Sequence, residues 1–536
     1  MATSPFDFDV ATALLDRADE IIAGALRELV VRGGIDANES FAYNVAHAAS
    51  ALATARSCLA YATKGEVEAR LVAAFLALAL SDLATSVLGQ EATWSVEPSW
   101  FDPFHAFVAA YGDPEFLSEL AETPGPRHLG EDFSMVGDTF HRFAVEQVRP
   151  HAEEVHRTNG DIPESIIAGL SELGGFGLSI PEEFGGFSNG GESEYVGMVV
   201  ATEELSWGSL GIGGSLITRP EIMTRALLRG GTKEQQVFWL PRLANADVLC
   251  AIAVTEPDFG SDVAGLTTSA TKVDRGWLIN GAKTWCTFAA RADVLVLLAR
   301  SDPDRSLAHR GLSLFLVEKP QGDSKGFLFH QDPASDGRAD APGRLEGRPI
   351  DTIGYRGMHS YELSFESWFV PDDHLIGAEA GLGKGFYFQM AGFENGRLQT
   401  AARAVGVMQS AYDAALEYAR TRVVFGQALI NFELTRVKLG TMAAIIQCAR
   451  QFSLQVAREM SGGAGALEAS MAKAYVCRAA EWVTREAMQI HGGMGYAEEY
   501  AVSRYFLDAR VLSIFEGADE TLCLKVIARR LVDQVS

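Results

Sequence analysis

Apolar residues recur at three- and four-residue spacing from about Asp16 to Leu88, through Ile21-Ile22-Ala23-Gly24-Ala25-Leu26 and Leu71-Val72-Ala73-Ala74-Phe75-Leu76. That period turns one stripe of a helix toward a core. Gly33-Gly34 and Lys64-Gly65 interrupt it. A stretch rich in Trp, Pro and Gly from Trp94 to Gly130 reads as a linker, and Asp132 opens a new helical series, so a boundary falls near residue 130. Helical segments continue to Leu249, broken at Gly174-Gly175, Pro181 and the glycine cluster Gly185 to Gly191. After Ala251 the period changes. Thr267 to Val273 and Gly276 to Ile279 flank turns, and Asn280-Gly281 is a strong hairpin signal. His330 to Pro349 is charged and aperiodic, and is expected to be a surface loop between strands. From Gly383 the helical period returns in Arg397–Ala419, Leu434–Met460, Leu467–Ile490 and Asp519–Val535, the pattern of an antiparallel bundle. The expected fold is mostly α with a β-rich middle domain. It comprises a helical extension (1–130), an α-helical domain (131–250), a β domain (251–375) and a C-terminal helical bundle (376–536).

Composition narrows the function more than the fold. Lys and Arg total 45 against 70 Asp and Glu, a net charge of −25, which repels phosphate backbones and anionic membranes. Nucleic acid and membrane partners are therefore not expected. The six cysteines are scattered without C-x-x-C spacing and sit in apolar runs, which reads as free buried thiols in a reducing compartment. Met1-Ala2-Thr3-Ser4-Pro5, followed by Asp7 and Asp9, lacks the basic and apolar regions of a signal peptide, and Leu71 to Leu80 is about half a membrane span. A cytoplasmic protein is the expectation.

Three segments carry candidate chemistry: Thr255-Glu256-Pro257-Asp258-Phe259-Gly260-Ser261-Asp262, then Trp285-Cys286-Thr287, then Phe515-Glu516-Gly517. With Tyr418-Ala419-Arg420-Thr421-Arg422-Val423-Val424-Phe425-Gly426 and Gln489-Ile490-His491-Gly492-Gly493-Met494-Gly495, their order resembles the acyl-CoA dehydrogenase family over about residues 132 to 536. The resemblance implies FAD as cofactor, a bundle-and-barrel-like fold in the order α, β, α, and removal of hydrogens from Cα and Cβ of an acyl thioester. No side chain accepts hydride, so the β-hydrogen needs the cofactor and the protein supplies position, polarity and one base.

The family's base position falls on Glu516, whose apolar neighbours and following Gly517 suit a water-poor site. A subset of the family carries its base on an earlier helix, at a position that here is Gly396. The resemblance also implies roles for other residues. Thr255 and Ser261 would bond the flavin, with Ser261 and Gly517 also near substrate. Trp285 would cover the flavin ring, with the Thr287 hydroxyl near it. Arg422 and Phe425 would meet FAD of a neighbouring subunit, at the turn of Gln489, Gly492 and Gly493. Glu394 and Arg397 would touch the CoA portion. Shared FAD sites imply a homodimer or homotetramer, and electrons would pass to electron-transfer flavoprotein.

The chain departs from the family pattern at Ala518, where threonine often stands, at Glu433, where glutamine is usual, and at Leu507, where arginine precedes Asp508. The extension, Gly354 to Glu362 and Ser513 to Leu522 are most similar to the subfamily acting on (2S)-methylsuccinyl-CoA in the ethylmalonyl-CoA pathway. Its product is mesaconyl-CoA. Such a short, branched, carboxylate-bearing acyl group calls for a cation or hydroxyl at the closed end of the pocket. Arg219 is the candidate, an exposed loop arginine being the plain alternative. An acyl-CoA oxidase using O2 and a non-dehydrogenase flavin-bearing binding protein share the fold and stay open. His359 and His491 lack partners at ligand spacing, so no metal is expected.

Overall fold

The computed structural model describes residues 6–332 and 342–535. The chain forms two compact units, one from residues 1–138 with 397–536 and one from residues 139–396.

In the first unit the amino-terminal helices and the carboxy-terminal bundle build one core. Asp7 caps the helix Phe8–Val31 by accepting from the backbone N–H groups of Asp9 and Val10, and Ala11, Leu14, Leu15, Ala18, Ile22, Leu26 and Leu29 form its buried stripe. The helices Glu39–Ser57 and Glu66–Val87 pack against each other and against Glu433–Ser461 and Ala466–Ile490. Glu66–Val87 is long and apolar enough to cross a membrane by length and composition, but Leu71 to Ala77 are all buried here. All six cysteines are free and buried.

The stretch from Trp94 to Gly130 is not the expected plain linker. It holds two helices, Asp102–Tyr111 and Pro114–Glu119, each with a proline in its first turn. Proline there supplies a preset φ and lacks only an N–H that has no helical partner, so it starts these helices instead of breaking them. Trp94, Trp100, Phe104, Phe107 and Phe116 are buried. Pro114–Glu119 lies so close to Glu433–Ser461 that a Cβ on Gly440 would fall 1.9 Å from the Leu117 carbonyl oxygen. The following segment is held by side chains: Tyr412 donates to the Ala121 carbonyl, Tyr61 and Gln447 to that of Pro126, and Gln451 to that of Arg127.

The second unit carries helices from Arg149–Thr158 to Lys233–Ala244, then a curled eight-stranded sheet: β1 Cys250–Ala253, β2 Ser269–Val273, β3 Gly276–Lys283, β4 Val294–Arg300, β5 Leu312–Glu318, β6 Phe327–His330, β7 Arg344–Ile350 and β8 Ser360–Pro371. The order is β1-β4-β2-β3-β8-β7-β6, with β5 also on β4. Every residue of β4 is buried, as expected of a strand covered on both faces.

Two further expectations need correction. Asn280-Gly281 is not a hairpin turn. Both residues lie inside β3, and the β2–β3 hairpin turns at Asp274-Arg275 instead. Gly281, at φ +139°, makes a register shift against β8, where a Cβ would fall 2.7 Å from Thr268 Cα, and the Asn280 side chain accepts from the Ser367 N–H. The stretch from His330 to Pro349 is not wholly loop either. Its ends belong to β6 and β7, which pair antiparallel, and residues 333–341 between them lie outside the described residues.

Candidate functional site

The sequence-predicted residues fall into two groups. In the second unit Thr255, Ser261, Trp285, Thr287, Arg219 and Glu394 are present, and Glu256 anchors the first of their segments. Its carboxylate accepts from the Thr267 N–H at 2.8 Å, the Thr267 hydroxyl at 2.7 Å, the Thr268 N–H at 2.9 Å and the Lys283 ammonium at 2.9 Å. Burial alone would raise this carboxyl, but the Lys283 charge and the Thr267 donors outweigh it and hold it down to about 2. Lys283 is wholly buried and also donates to the Val254 carbonyl at 2.9 Å. One ion pair thus ties the Thr255–Asp262 loop to the strand that leads into Trp285.

Past Lys283 the chain turns through residues in the left-handed region, Trp285 at φ +57° and Phe288 at φ +70°. Non-glycine residues occupy that region at a cost and concentrate where a site demands it. The turn holds the Trp285 indole out at 57% exposure between buried Thr284 and Cys286. The Thr287 hydroxyl lies 2.9 Å from that of Ser360. Arg219 is buried, not an exposed loop residue. It sits in the first turn of Thr218–Gly230 and donates to the Ser215 carbonyl at 2.8 Å, the Tyr355 hydroxyl at 3.2 Å and the Thr287 carbonyl at 3.4 Å. Among the described residues no carboxylate pairs with it. The structure therefore joins Arg219 directly to Thr287.

Nearby in this unit Glu221 is buried between Arg225 and Asn395, whose amide donates to it at 3.0 Å, and burial pushes its carboxyl up to about 7.

In the first unit Glu516 stands on a turn after the helix Ala501–Leu512, itself at φ +55° with Gly517 at φ +100°. Its Oε2 is buried and, among the described residues, has no hydrogen-bond partner. The turn is held from outside. Lys473, wholly buried on Ala466–Ile490, donates to the Gly517 carbonyl at 2.6 Å, and the Asp519 N–H donates to the Ser513 carbonyl at 3.1 Å. Burial lowers the Lys473 ammonium, while the charges of Asp519 and Glu516 act on it in the opposite sense and Arg397 reinforces the lowering. Arg397 donates to the Ser470 hydroxyl at 3.3 Å, one turn before Lys473. The Arg403 guanidinium lies 4.7 Å from the Phe515 ring centre.

A second cluster in this unit forms where Tyr418 stacks on His491 with ring centres 4.3 Å apart. The stack brings the Arg420–Gly426 segment beside Gln489–Gly495. Arg422, Gln489, Gly492 and Gly493 are exposed, and Phe425, at φ +50°, is 99% exposed. His491 is satisfied within its helix, its Nδ1 lying 2.8 Å from the Ala487 carbonyl oxygen.

These residues fit a planar cofactor with a pyrophosphate. Taken unit by unit, the second offers the open aromatic face of Trp285 and, at Gly260, backbone that a Cβ would leave clear to 4 Å, and the first offers the open face of Phe425, the guanidinium fork of Arg422 and the equally clear Gly492, Gly493 and Gly517. Sequence reasoning missed Lys283 and Lys473. The only available signal for Lys473 was a lysine inside an apolar helical run, between Ala472 and Ala474.

Known proteins resemble this chain in sequence and fold. Family models for acyl-CoA dehydrogenase match residues 130–247 (N-terminal domain), 251–368 (middle domain) and 383–532 (C-terminal domain). The (2S)-methylsuccinyl-CoA dehydrogenase of Cereibacter sphaeroides is 45% identical over 412 residues, 77% of this chain and 71% of its own. A crystal structure of an acyl-CoA dehydrogenase from Geobacillus kaustophilus aligns with TM-score 0.65 and 32% identity over 76% of this chain and 100% of its own. The butyryl-CoA dehydrogenase of Megasphaera elsdenii aligns with TM-score 0.66 and 28% identity over the same shares. With all three domains matched in order, the chain belongs to the acyl-CoA dehydrogenase family and is an FAD-dependent oxidoreductase.

Proposed function

We propose that this enzyme dehydrogenates a short, carboxylate-bearing acyl-CoA across Cα and Cβ, converting (2S)-methylsuccinyl-CoA to mesaconyl-CoA, with Glu516 as the base. The observation that carries the chemistry is the Glu516 Oε2, buried and without a hydrogen-bond partner among the described residues, on a strained turn that other residues hold in place. A carboxylate free of hydrogen bonds keeps its lone pairs for a substrate proton. FAD, when bound, supplies the acceptor for the hydride that leaves Cβ. Glu516 takes the Cα proton, and the burial of its Oε2 limits water at that atom. Arg397 and Glu394 would hold the CoA portion, Arg397 bringing positive charge to a strongly acidic chain.

The substrate assignment is supported by the similarity to the Cereibacter sphaeroides enzyme and by Arg219. A buried guanidinium with only neutral acceptors among the described residues leaves a charge that an acyl-end carboxylate would balance. Arg219→Met is expected to weaken binding of (2S)-methylsuccinyl-CoA by ~10- to 100-fold, the usual worth of a hydrogen bond to a charged group, with butyryl-CoA little affected. Ester titrations of flavin absorbance check this, and equal losses for both esters would remove Arg219 from the acyl pocket.

Electrons would leave through electron-transfer flavoprotein. Turnover should therefore reduce an acceptor dye and release no peroxide in air, whereas peroxide in step with product would make the enzyme an oxidase. The exposed Phe425 and Arg422 support a homodimer or homotetramer in which this segment meets FAD of a second subunit. The free, buried cysteines accord with a cytoplasmic location.

A further inference from the structure

The Glu516 turn leads into a helical run in which Asp519–Leu522 continues through a wider turn, Cys523–Ile527, into Ala528–Val535, so the position of Asp519 fixes where this run begins. Lys473 grips the Glu516 turn at Gly517 from the bundle. A second grip comes from the amino-terminal extension. Tyr43 and His47 are four residues apart on the helix Glu39–Ser57, so both project from one face. Both reach the same oxygen: the Tyr43 hydroxyl donates to Asp519 Oδ2, and His47 Nε2 lies 2.9 Å from it. The carboxylate can only accept, so His47 donates through Nε2. Cys523, one turn beyond Asp519, places its sulfur 3.5 Å from His47 Nε2. Burial would raise the Asp519 carboxyl, but the bonds from His47 and Tyr43 outweigh it and keep the group ionised. His47, Asp519 and Cys523 converge closely enough to suggest a metal. However, Asp519 Oδ2 is already engaged by two donors and burial raises the Cys523 thiol, keeping it protonated.

We propose that Tyr43 and His47 are positioning residues for the reaction: by fixing Asp519, three residues after Glu516, they set where the Glu516 carboxylate stands. The extension, outside the three matched family domains, thereby serves the base. This rests on the reading of Glu516 as the base. Neither residue touches the reacting atoms, and their effect passes through the backbone between Glu516 and Asp519. A displacement of about 1 Å in a catalytic group costs on the order of 10²-fold in rate, so loss of this grip should appear in the chemical step.

The test compares Tyr43→Phe, His47→Leu, their double variant and His47→Gln, which keeps a donor near the Nε2 position. Flavin reduction by (2S)-methylsuccinyl-CoA is followed anaerobically at saturation, together with ester Kd and FAD content. The double variant should reduce its flavin ~10- to 100-fold more slowly with Kd and FAD content unchanged, and His47→Gln should recover most of what His47→Leu loses. Wild-type reduction by the double variant overturns the proposal, as does a loss that only follows FAD content, or His47→Gln as slow as His47→Leu. Should the double variant not fold, the single variants decide by the same readings. Glu516→Gln is run in parallel. If it alone is slow, only the positioning role fails; if it reduces flavin at the wild-type rate, the base reading fails and this proposal falls with it.

Discussion

Glu516→Gln is expected to give a yellow, folded protein that binds acyl-CoA yet reduces its flavin ~10³-fold or more slowly, within the upper part of the range for one general base. The substitution keeps shape and removes basicity. Folding should survive it, because the turn is held by Lys473 on the Gly517 carbonyl and by the grip on Asp519, while the Glu516 Oε2 bonds to none of the described residues. FAD content, ester titration and anaerobic rapid mixing separate binding from chemistry. Near-normal bleaching would move the base elsewhere, although the alternative helix position offers only Gly396.

Glu256→Gln should destabilise the fold by about 3–5 kcal/mol, the usual consequence of removing one partner of a buried ion pair. The wild-type carboxylate offsets the charge of Lys283, which is wholly buried. Glutamine keeps some hydrogen bonds to Thr267 and Thr268 but leaves that ammonium uncompensated. Because Glu256 lies in the Thr255–Asp262 loop and Lys283 two residues before Trp285, the variant should also lose FAD more readily. Urea unfolding of wild type and variant measures the first effect and flavin release the second. The same pair predicts a pH dependence. The Glu256 carboxyl is held down to about 2 in the folded protein against ~4.3 unfolded, so its stabilisation is complete above ~4.3 and is lost as pH falls toward 2. The variant should lack this acid-side slope, and an equal slope in both would assign it to other carboxyls.

The regular parts of the fold were legible because they rest on local period. The amphipathic runs after Gly383 became helices at Glu433–Ser461 and Ala466–Ile490, and Gly33-Gly34 and Lys64-Gly65 separate helices in the extension. The failures were positional. Asn280-Gly281 has the composition of a hairpin turn, but β3 pairs with β8 across it, so the positive φ serves a bulge. Proline in Asp102–Tyr111 and Pro114–Glu119 looked like a breaker because its meaning depends on whether a helix starts there. At the site, Glu516, Trp285 and Phe425 were recognisable as motif members, whereas nothing in the sequence signalled that all three sit at positive φ. Contacts across long separations were invisible. Tyr43 and His47 meet Asp519 over more than 470 residues of chain, and no periodicity carries that pairing.

The most direct test of Glu516 as the base is single-turnover flavin reduction with (2S)-methylsuccinyl-CoA carrying deuterium at Cα, in wild type and Glu516→Gln. The account predicts a slower wild-type reaction with the deuterated ester and a variant almost without reaction. Equal rates for the two esters in wild type, together with a variant as fast as wild type, would contradict it.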